Sequence, residues 1–193
     1  MRKALLSLVA AVLLTPLGWG QVPIFEVTPV SSSVTFDVKS SVSIVGKFDQ
    51  WKATLTMKSP DVTTAMLDIE VQAASVNTGS GMKNDKLKSK DFFDVDQDPV
   101  ISFKSDHCVQ TGPNTFDVPG IFTIRGVSKP QTLQLTLTGK GTGSGEIKGS
   151  MYFDRKDYGI NGRIPFVTIA DRVQVDVDLK AKRVSGPPVV FKQ

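Results

Sequence analysis

The chain has few of the residues on which metal and disulfide chemistry depend. It contains one cysteine, Cys108, and one histidine, His107. A single cysteine cannot form an intramolecular disulfide, and a lone histidine without a C-x-x-C or H-x-x-x-H pattern does not make a zinc site. No G-x-S-x-G sequence occurs, so the nucleophile turn of the α/β-hydrolases is absent. We therefore expect no metal, no cofactor and a fold that core packing alone holds together.

Long apolar runs are also scarce, and the one that stands out lies at the start of the chain. Arg2 and Lys3 precede an apolar run over residues 4–14, and small residues follow up to Gly20. This is the charged, apolar and small-residue pattern of a secretory signal peptide, and the run is short for a transmembrane helix. We predict that residues 1–20 are cleaved near Gly20 and that the protein is exported, to the periplasm or outside the cell.

The charge is nearly balanced. There are 23 basic and 19 acidic residues, and without Arg2 and Lys3 the count is 21 to 19, which lowers the net charge from +4 to +2. The lysines are spread along the chain and form no basic stripe, so we expect no nucleic-acid partner. A length of 193 residues with 40% hydrophobic content fits one domain with its own core.

Most of the remaining sequence alternates between apolar and polar residues. This period of two predicts antiparallel strands with one buried and one wet face. With no βαβ rhythm, the pattern indicates a sandwich or barrel of about eight strands, and we predict an all-β, eight-stranded antiparallel barrel over residues 21–184. Residues 34–48 read as one long strand, straight or bent. Pro119-Gly120 predicts a bulge or break, and residues 185–193 form an irregular tail that is loose or packs over one end.

Residues 74–103 are the exception, because their middle favours a helix. Asn77 and Ser80 are candidate N-caps, and residues 83–90 are polar helix formers. Phe92 and Phe93 follow on a highly charged segment and need an apolar place, either as a plug at one barrel end or as the entrance to a cavity. A barrel of eight strands is either filled by its own side chains or holds one small ligand, and periodicity does not decide between the two.

An acidic stretch imitates the start of a calcium loop. Asp94, Asp96 and Asp98 match its first three ligand positions. Pro99 stands where the loop needs glycine, and Ser105 stands where a bidentate glutamate should close the site. We therefore interpret the stretch as a solvated acidic turn.

Two further motifs also favour a structural interpretation. The glycine-rich residues 139–145 lie between predicted strands without a following helix, which favours a hairpin loop over a phosphate-binding loop. His107 and Cys108 are adjacent, and neighbours on a strand point to opposite faces, so they should not form a nucleophile pair.

Several segments, taken together and in order, resemble the YceI-like family. The matching stretches are residues 32–39 (SSVTFDVK), 46–48 (GKF), 73–78 (AASVNT), 84–94 (NDKLKSKDFFD), 99–103 (PVISF), 120–130 (GIFTIRGVSKP) and 154–160 (DRKDYGI). The resemblance covers nearly the whole chain after residue 20. Ser31, Ser40 and Lys86 stand where many family members carry histidines, so no histidine contact is carried over.

The resemblance implies an exported, lipocalin-like barrel that binds polyisoprenoids and other long-chain lipids. The expected function is non-catalytic binding, storage or transport of a polyisoprenoid or isoprenoid quinone. Fatty acid or fatty amide binding in the same cavity, and a filled barrel acting as a secreted interaction module, are the alternatives. The expected partner is a long-chain isoprenoid or fatty-acyl lipid; transient membrane contact and a homodimer stay open.

Apolarity of the alternating rows selects the residues expected to line or support the cavity. Lys86, Lys88 and Arg155 are the candidates for contact with a polar head group, although lysines on a helix are also typical of a solvated face. The apolar candidates are Phe36, Val38, Phe48, Leu67, Ile69, Val71, Leu87, Phe92, Phe93, Phe103, Phe122, Ile124, Leu135 and Val175.

Overall fold

A computed structural model of the chain describes residues 21–41 and 44–192, so the predicted signal peptide lies outside the described residues. Within the described ranges, no helix is both long and apolar enough to cross a bilayer. The strands are β1 (Ile24–Ser40), β2 (Ile44–Phe48), β3 (Trp51–Met57), β4 (Ala65–Gln72), β5 (Val76–Asn77), β6 (Val100–Ser105), β7 (Val109–Gln110), β8 (Thr115–Ile124), β9 (Val127–Thr138), β10 (Ser144–Asp154) and β11 (Ile169–Ser185), and the helix is α1 (Gly81–Lys88).

All strands belong to one curled antiparallel sheet in the order β3-β4-β6-β8-β9-β10-β11-β1-β2-β5, with β7 paired to β8. The sheet curls until Cα atoms of β1 lie within 8 Å of those of β3. This confirms the predicted all-β, lipocalin-like fold with a helical insertion. The strand number was wrong, because the short strands β2, β5 and β7 raise it from eight to eleven.

The alternation of the sequence becomes the inside and outside of the sheet. On β4, Leu67, Ile69 and Val71 are each at most 4% exposed, and Asp68 between them faces solvent. Tyr158, after β10, is the largest of the fully buried side chains. Apolar burial of this extent is the main force that holds a barrel without disulfides.

Two predictions about the strands were wrong. Residues 34–48 are not one strand, because the chain reverses and pairs Val38 with Ile44 in an antiparallel ladder between β1 and β2. Pro119 and Gly120 neither break nor bulge β8, which pairs with β9 without a register shift. Pro119 lies opposite Thr132 of β9. On the other side of β8 it falls in the gap between the pairing with β7, which ends at Asp117, and the pairing with β6, which starts at Gly120, so no ladder is interrupted there.

Two segments outside the sheet cover the two ends of the barrel. At one end, α1 begins after Ser80, and the turns that follow it place Phe92 and Phe93 in the core. At the other end, the C-terminal tail is irregular and packs over the barrel. In the tail, the Val190 N–H donates to the Pro60 carbonyl over 2.8 Å, and the Val190 carbonyl accepts from the Val62 N–H over 3.0 Å.

Candidate functional site

The barrel encloses an apolar cavity of about 260 Å³ beneath α1, which we call the main cavity. Its lining is apolar apart from Lys83, Lys86, Ser102 and Arg155. No histidine, cysteine, aspartate or glutamate is among its described lining residues. The other lining residues are Val34, Phe36, Val38, Ile44, Phe48, Ile69, Val71, Met82, Leu87, Phe92, Phe93, Ile101, Phe103, Phe122, Ile124, Leu133, Met151, Phe153, Ile160, Ile164, Ile169, Val173, Val175 and Val177.

Two aromatic clusters give the main cavity rigid walls. Phe93 packs on Phe36 and Phe48 with ring centroids 6.2 and 6.0 Å apart, which fastens the segment after α1 to strands β1 and β2. Phe122 and Phe153 lie 5.0 Å apart on the other side of the barrel. Tilted and edge-on ring pairs of this kind add to the stability that burial alone supplies.

A second apolar cavity of about 140 Å³, the distal cavity, lies at the other end of the barrel. Leu67, Leu135 and Cys108 form part of its wall, and Val189 and Phe191 of the C-terminal tail cover it. The two cavities share strands: on β4, Ile69 and Val71 line the main cavity, and Leu67 lines the distal one.

Large side chains lying over glycines separate the two cavities. A Cβ added to Gly120 would lie 2.7 Å from Cζ of Phe103, so the Phe103 ring crosses β8 at this point. A Cβ on Gly149 would overlap Leu135 and contact Val177, which line the distal and main cavities respectively. The side chains of Phe103, Leu135 and Val177 therefore form part of the partition between the cavities.

Helix α1 forms one side of the mouth of the main cavity. Met82, Lys83 and Lys86 are the residues of its outer part that reach the lining. The Lys86 Nζ lies 3.2 Å from a carboxylate oxygen of Asp91 and 5.5 Å from the centre of the Phe92 ring. The mouth thus combines an apolar opening with positive charge.

The Arg155 side chain is buried, and its contacts are with the protein itself. Its Nη1 donates to the carbonyls of Ile160 (2.7 Å) and Gly162 (3.3 Å), and its Nε donates to the carbonyl of Ala170 (3.2 Å). Its Nη2 lies 3.1 Å from Asp171. These contacts make Arg155 an anchor for the chain after β10. Its side chain also lines the main cavity, and its contact with a head group stays a prediction.

Twelve of the fourteen predicted apolar residues lie in the wall of the main cavity. Leu67 and Leu135 are the other two, and they line the distal cavity because the partition falls between them and the mouth. Lys86 lies at the mouth, and Lys88, on the same helix, does not reach the lining. Sequence reasoning missed Met151 and Phe153, although their alternation on β10 carried the same signal as the rows chosen.

Cys108 and His107 point apart, and neither lies on a strand. The Cys108 Sγ donates to the Val62 carbonyl over 2.8 Å in the core, and His107 is exposed beside Asp106. Burial raises the pKa of the Cys108 thiol to about 11, so it is a poor nucleophile at neutral pH. Among residues 21–41 and 44–192, no three side chains of His, Cys, Asp or Glu are grouped as metal ligands.

The fold and the site define a class: a curled antiparallel barrel built around an apolar cavity, as in lipocalin-like proteins. The model of the YceI-like domain matches residues 25–181, and the chain therefore belongs to the YceI-like family. A relative of Pseudomonas savastanoi, called UPF0312 protein, is 30% identical over 127 residues. That alignment covers 63% of this chain and 66% of the relative, just under two thirds of its length.

Solved structures show the same fold. BcnA of Burkholderia cenocepacia superposes with a TM-score of 0.73 at 24% identity, over 80% of this chain and 99% of that protein. A polyisoprenoid binding domain from Saccharophagus degradans gives a TM-score of 0.66 at 15% identity, over 83% and 99%. The YceI protein of Campylobacter jejuni gives 0.60 at 23% identity, over 72% and 85%.

Proposed function

We propose that the protein binds one long-chain apolar lipid inside the barrel, without chemical conversion, and so stores or carries it through water. The observation that carries this proposal is the main cavity, whose wall is apolar everywhere except near the mouth and around Arg155 and Ser102. An empty apolar cavity forfeits dispersion contacts, so a protein that maintains one has a use for the space. Ser102 is the one hydroxyl in the described wall, and no general base accompanies it there.

The size of the cavities indicates a long chain. At roughly 30 Å³ for each water-sized group, the main cavity takes about nine methylene-sized groups, which gain about 7 kcal/mol on burial. Association costs at least about 4 kcal/mol, which leaves only millimolar affinity or weaker. A chain that passes the partition and fills the distal cavity buries about four more groups, which gain about 3 kcal/mol, and its dissociation constant reaches tens of micromolar at best.

We propose an isoprenoid as the chain. The polyisoprenoid binding domain from Saccharophagus degradans shares the fold, and this supports the isoprenoid class. A fatty acid is the second candidate, because Lys86 at the mouth is placed to attract a carboxylate. Export after cleavage near Gly20 is part of the same proposal, because a carrier of this kind serves aqueous space between or outside membranes.

The test is uptake of three probes, a polyprenol, an isoprenoid quinone and oleic acid, measured by native mass spectrometry after solvent extraction of the purified protein. We expect the unmodified chain to take up a polyprenol or quinone at one molecule per protein. If none of the three probes binds and no lipid is extracted, the barrel is a filled structural module and the proposal is wrong.

A matched pair of variants on β4 locates the bound chain. Val71→Phe fills the main cavity near the mouth and should abolish uptake of all probes. Leu67→Phe, four positions away on the same face, narrows the distal cavity and should weaken only chains long enough to pass the partition. Circular dichroism melting checks that both variants fold, which is expected because each ring enters existing space.

A further inference from the structure

The turn beside the mouth carries a side chain that contributes nothing to the core. Phe166 is fully exposed, at 106% of its reference area, whereas the other described phenylalanines are buried or half-buried. A large apolar side chain in this position gains no burial energy from folding. Its role is therefore to be sought outside the monomer.

The backbone at Phe166 is also held in an unfavourable conformation. The Val167 N–H donates to the Ile164 carbonyl over 3.1 Å, which closes a four-residue turn with Pro165 and Phe166 at its centre. Phe166 has φ +63°, in the left-handed region that a turn of this kind normally gives to glycine. Exposure and strain at one residue together mark a functional position more clearly than either does alone.

The turn is fixed at its base and belongs to the rim of the main cavity. Ile164, two residues before Phe166, lines that cavity. Arg155 holds the carbonyls of Ile160 and Gly162, and Thr168 exchanges two hydrogen bonds of 3.0 and 3.1 Å with Ser41. Phe166 is therefore presented outward by an anchored turn.

Helix α1 presents a second exposed apolar side chain on the other side of the mouth. Met82 is 84% exposed and reaches the lining of the main cavity. Positive charge accompanies both tips: residues 81–91 contain four lysines and two aspartates, and residues 159–168 contain Arg163 and no acidic residue. Apolar tips among basic residues fit a surface that is negatively charged outside and apolar beneath.

We propose that this rim, Met82 with the turn of residues 164–167, docks on a bilayer that contains anionic lipid, with Phe166 inserted among the acyl chains. Docking would place the mouth of the main cavity against the membrane, so that a long apolar chain enters or leaves without crossing water. The purpose of docking rests on the proposed lipid-carrier function. Binding to vesicles, however, is measured whether or not the barrel holds a lipid.

The test uses the chain from Gln21, which keeps every described element and removes the apolar residues 4–14 as a source of membrane binding. Cosedimentation is measured with vesicles of phosphatidylcholine alone and mixed with phosphatidylglycerol. We expect the unmodified chain to bind the mixed vesicles, and Phe166→Ala to lower that affinity at least about tenfold. Val190→Ala is the matched control, because Val190 is 61% exposed at the opposite end of the barrel. The affinity of this variant for the mixed vesicles should equal that of the unmodified chain.

A fluorescent readout reports insertion directly. Phe166→Trp should shift its emission to shorter wavelength on addition of mixed vesicles, and Val190→Trp should not. Arg163→Gln should weaken binding to the mixed vesicles by about fivefold and leave binding to phosphatidylcholine unchanged. Equal sedimentation of Phe166→Ala and the unmodified chain, or no emission shift at position 166, would overturn the proposal.

Two further measurements separate docking from its rivals. If light scattering finds a dimer that Phe166→Ala dissociates, and no vesicle binding occurs, the rim is a self-association surface and membrane docking is wrong. Native mass spectrometry of Phe166→Ala should still find the probe lipid inside the barrel. If the chain binds vesicles through Phe166 but takes up no lipid, the carrier function is wrong and the docking surface is established.

Discussion

The two ends of the barrel are both covered by a segment outside the sheet, but they are fastened in different ways. At the tail end, the cover is held by backbone bonds of Val190, by the pair Gln110–Lys192, and by the Phe191 ring between Phe116 and the Lys140 ammonium. At the mouth, Arg155 bonds to carbonyls on either side of the turn, Thr168 bonds to Ser41, and the apolar tips of the rim face outward.

This difference indicates which end exchanges ligand. The tail turns Val189 and Phe191 inward onto the distal cavity, so opening that end would expose them to water. The mouth already exposes Met82 and Phe166, and its cover is polar and short. We therefore expect the ligand to enter and leave at the mouth and the tail end to stay closed. The predictions below test this contrast.

The largest expected effect is at the anchor of the mouth. Arg155→Met removes a guanidinium that satisfies three carbonyls and Asp171, and it should lower the free energy of unfolding by about 3 kcal/mol. Arg183→Met at the tail end removes one bond, to the Gly186 carbonyl, and should cost about 1 kcal/mol. Urea denaturation measures both, and equal costs would remove the contrast between the ends.

The second prediction uses Cys108 as a reporter of the closed tail end. Because burial raises its thiol pKa to about 11, alkylation by iodoacetamide at pH 8 should be slower than in urea-unfolded chain by on the order of a hundredfold. The rate should rise as pH approaches 11. The raised pKa also means that the neutral thiol stabilises the fold below its unfolded pKa, and that this contribution is lost as pH rises towards 11. Comparable rates in both states would show that the tail end is open.

The third prediction loosens the tail itself. Phe191→Ala removes the ring that contacts Phe116 and Lys140, and it should lower the free energy of unfolding by about 2 kcal/mol. Alkylation of Cys108 should then become roughly tenfold faster, since the distal cavity loses its cover. The control is Val190→Ala, whose exposed side chain should leave both quantities unchanged. An equally fast reaction in the control would mean that the effect is not specific to the Phe191 ring.

The smallest effect is expected at the turn of the mouth. Phe166→Gly relieves the positive φ and removes a side chain without core contacts, so the free energy of unfolding should stay the same or rise by up to about 1 kcal/mol. Thermal melting measures it. A clear loss of stability would show that the ring packs on the protein and would weaken its assignment to the membrane.

Much of the architecture could be predicted because it follows from local rules. Alternation on β4 and β11 set which side chains face inward, and twelve apolar residues chosen in this way lie in the wall of the main cavity. The chain reversal between β1 and β2 could not be predicted, because apolar and polar residues alternate through residues 34–48 in the pattern of one continuous strand.

The missed parts of the site depend on where separate segments meet. Arg155 reads as a free cation in the sequence, and only the course of residues 160–171 around it shows the carbonyls and the carboxylate that it contacts. The division of the interior into two cavities could not be predicted from the sequence either, since it arises where Phe103 and Leu135 lie over glycines of neighbouring strands.

The sequence by itself determined the antiparallel sheet and its apolar inner face, because these follow from the period of side chains along the chain. Local helix-forming residues indicated the helical insertion, and motifs in a fixed order indicated the family. Only the tertiary structure decided that the interior is two cavities, that the tail closes one end and that Phe166 stands outside the other. Those features depend on distances between residues far apart in the chain, and alternation along a strand contains no information about them.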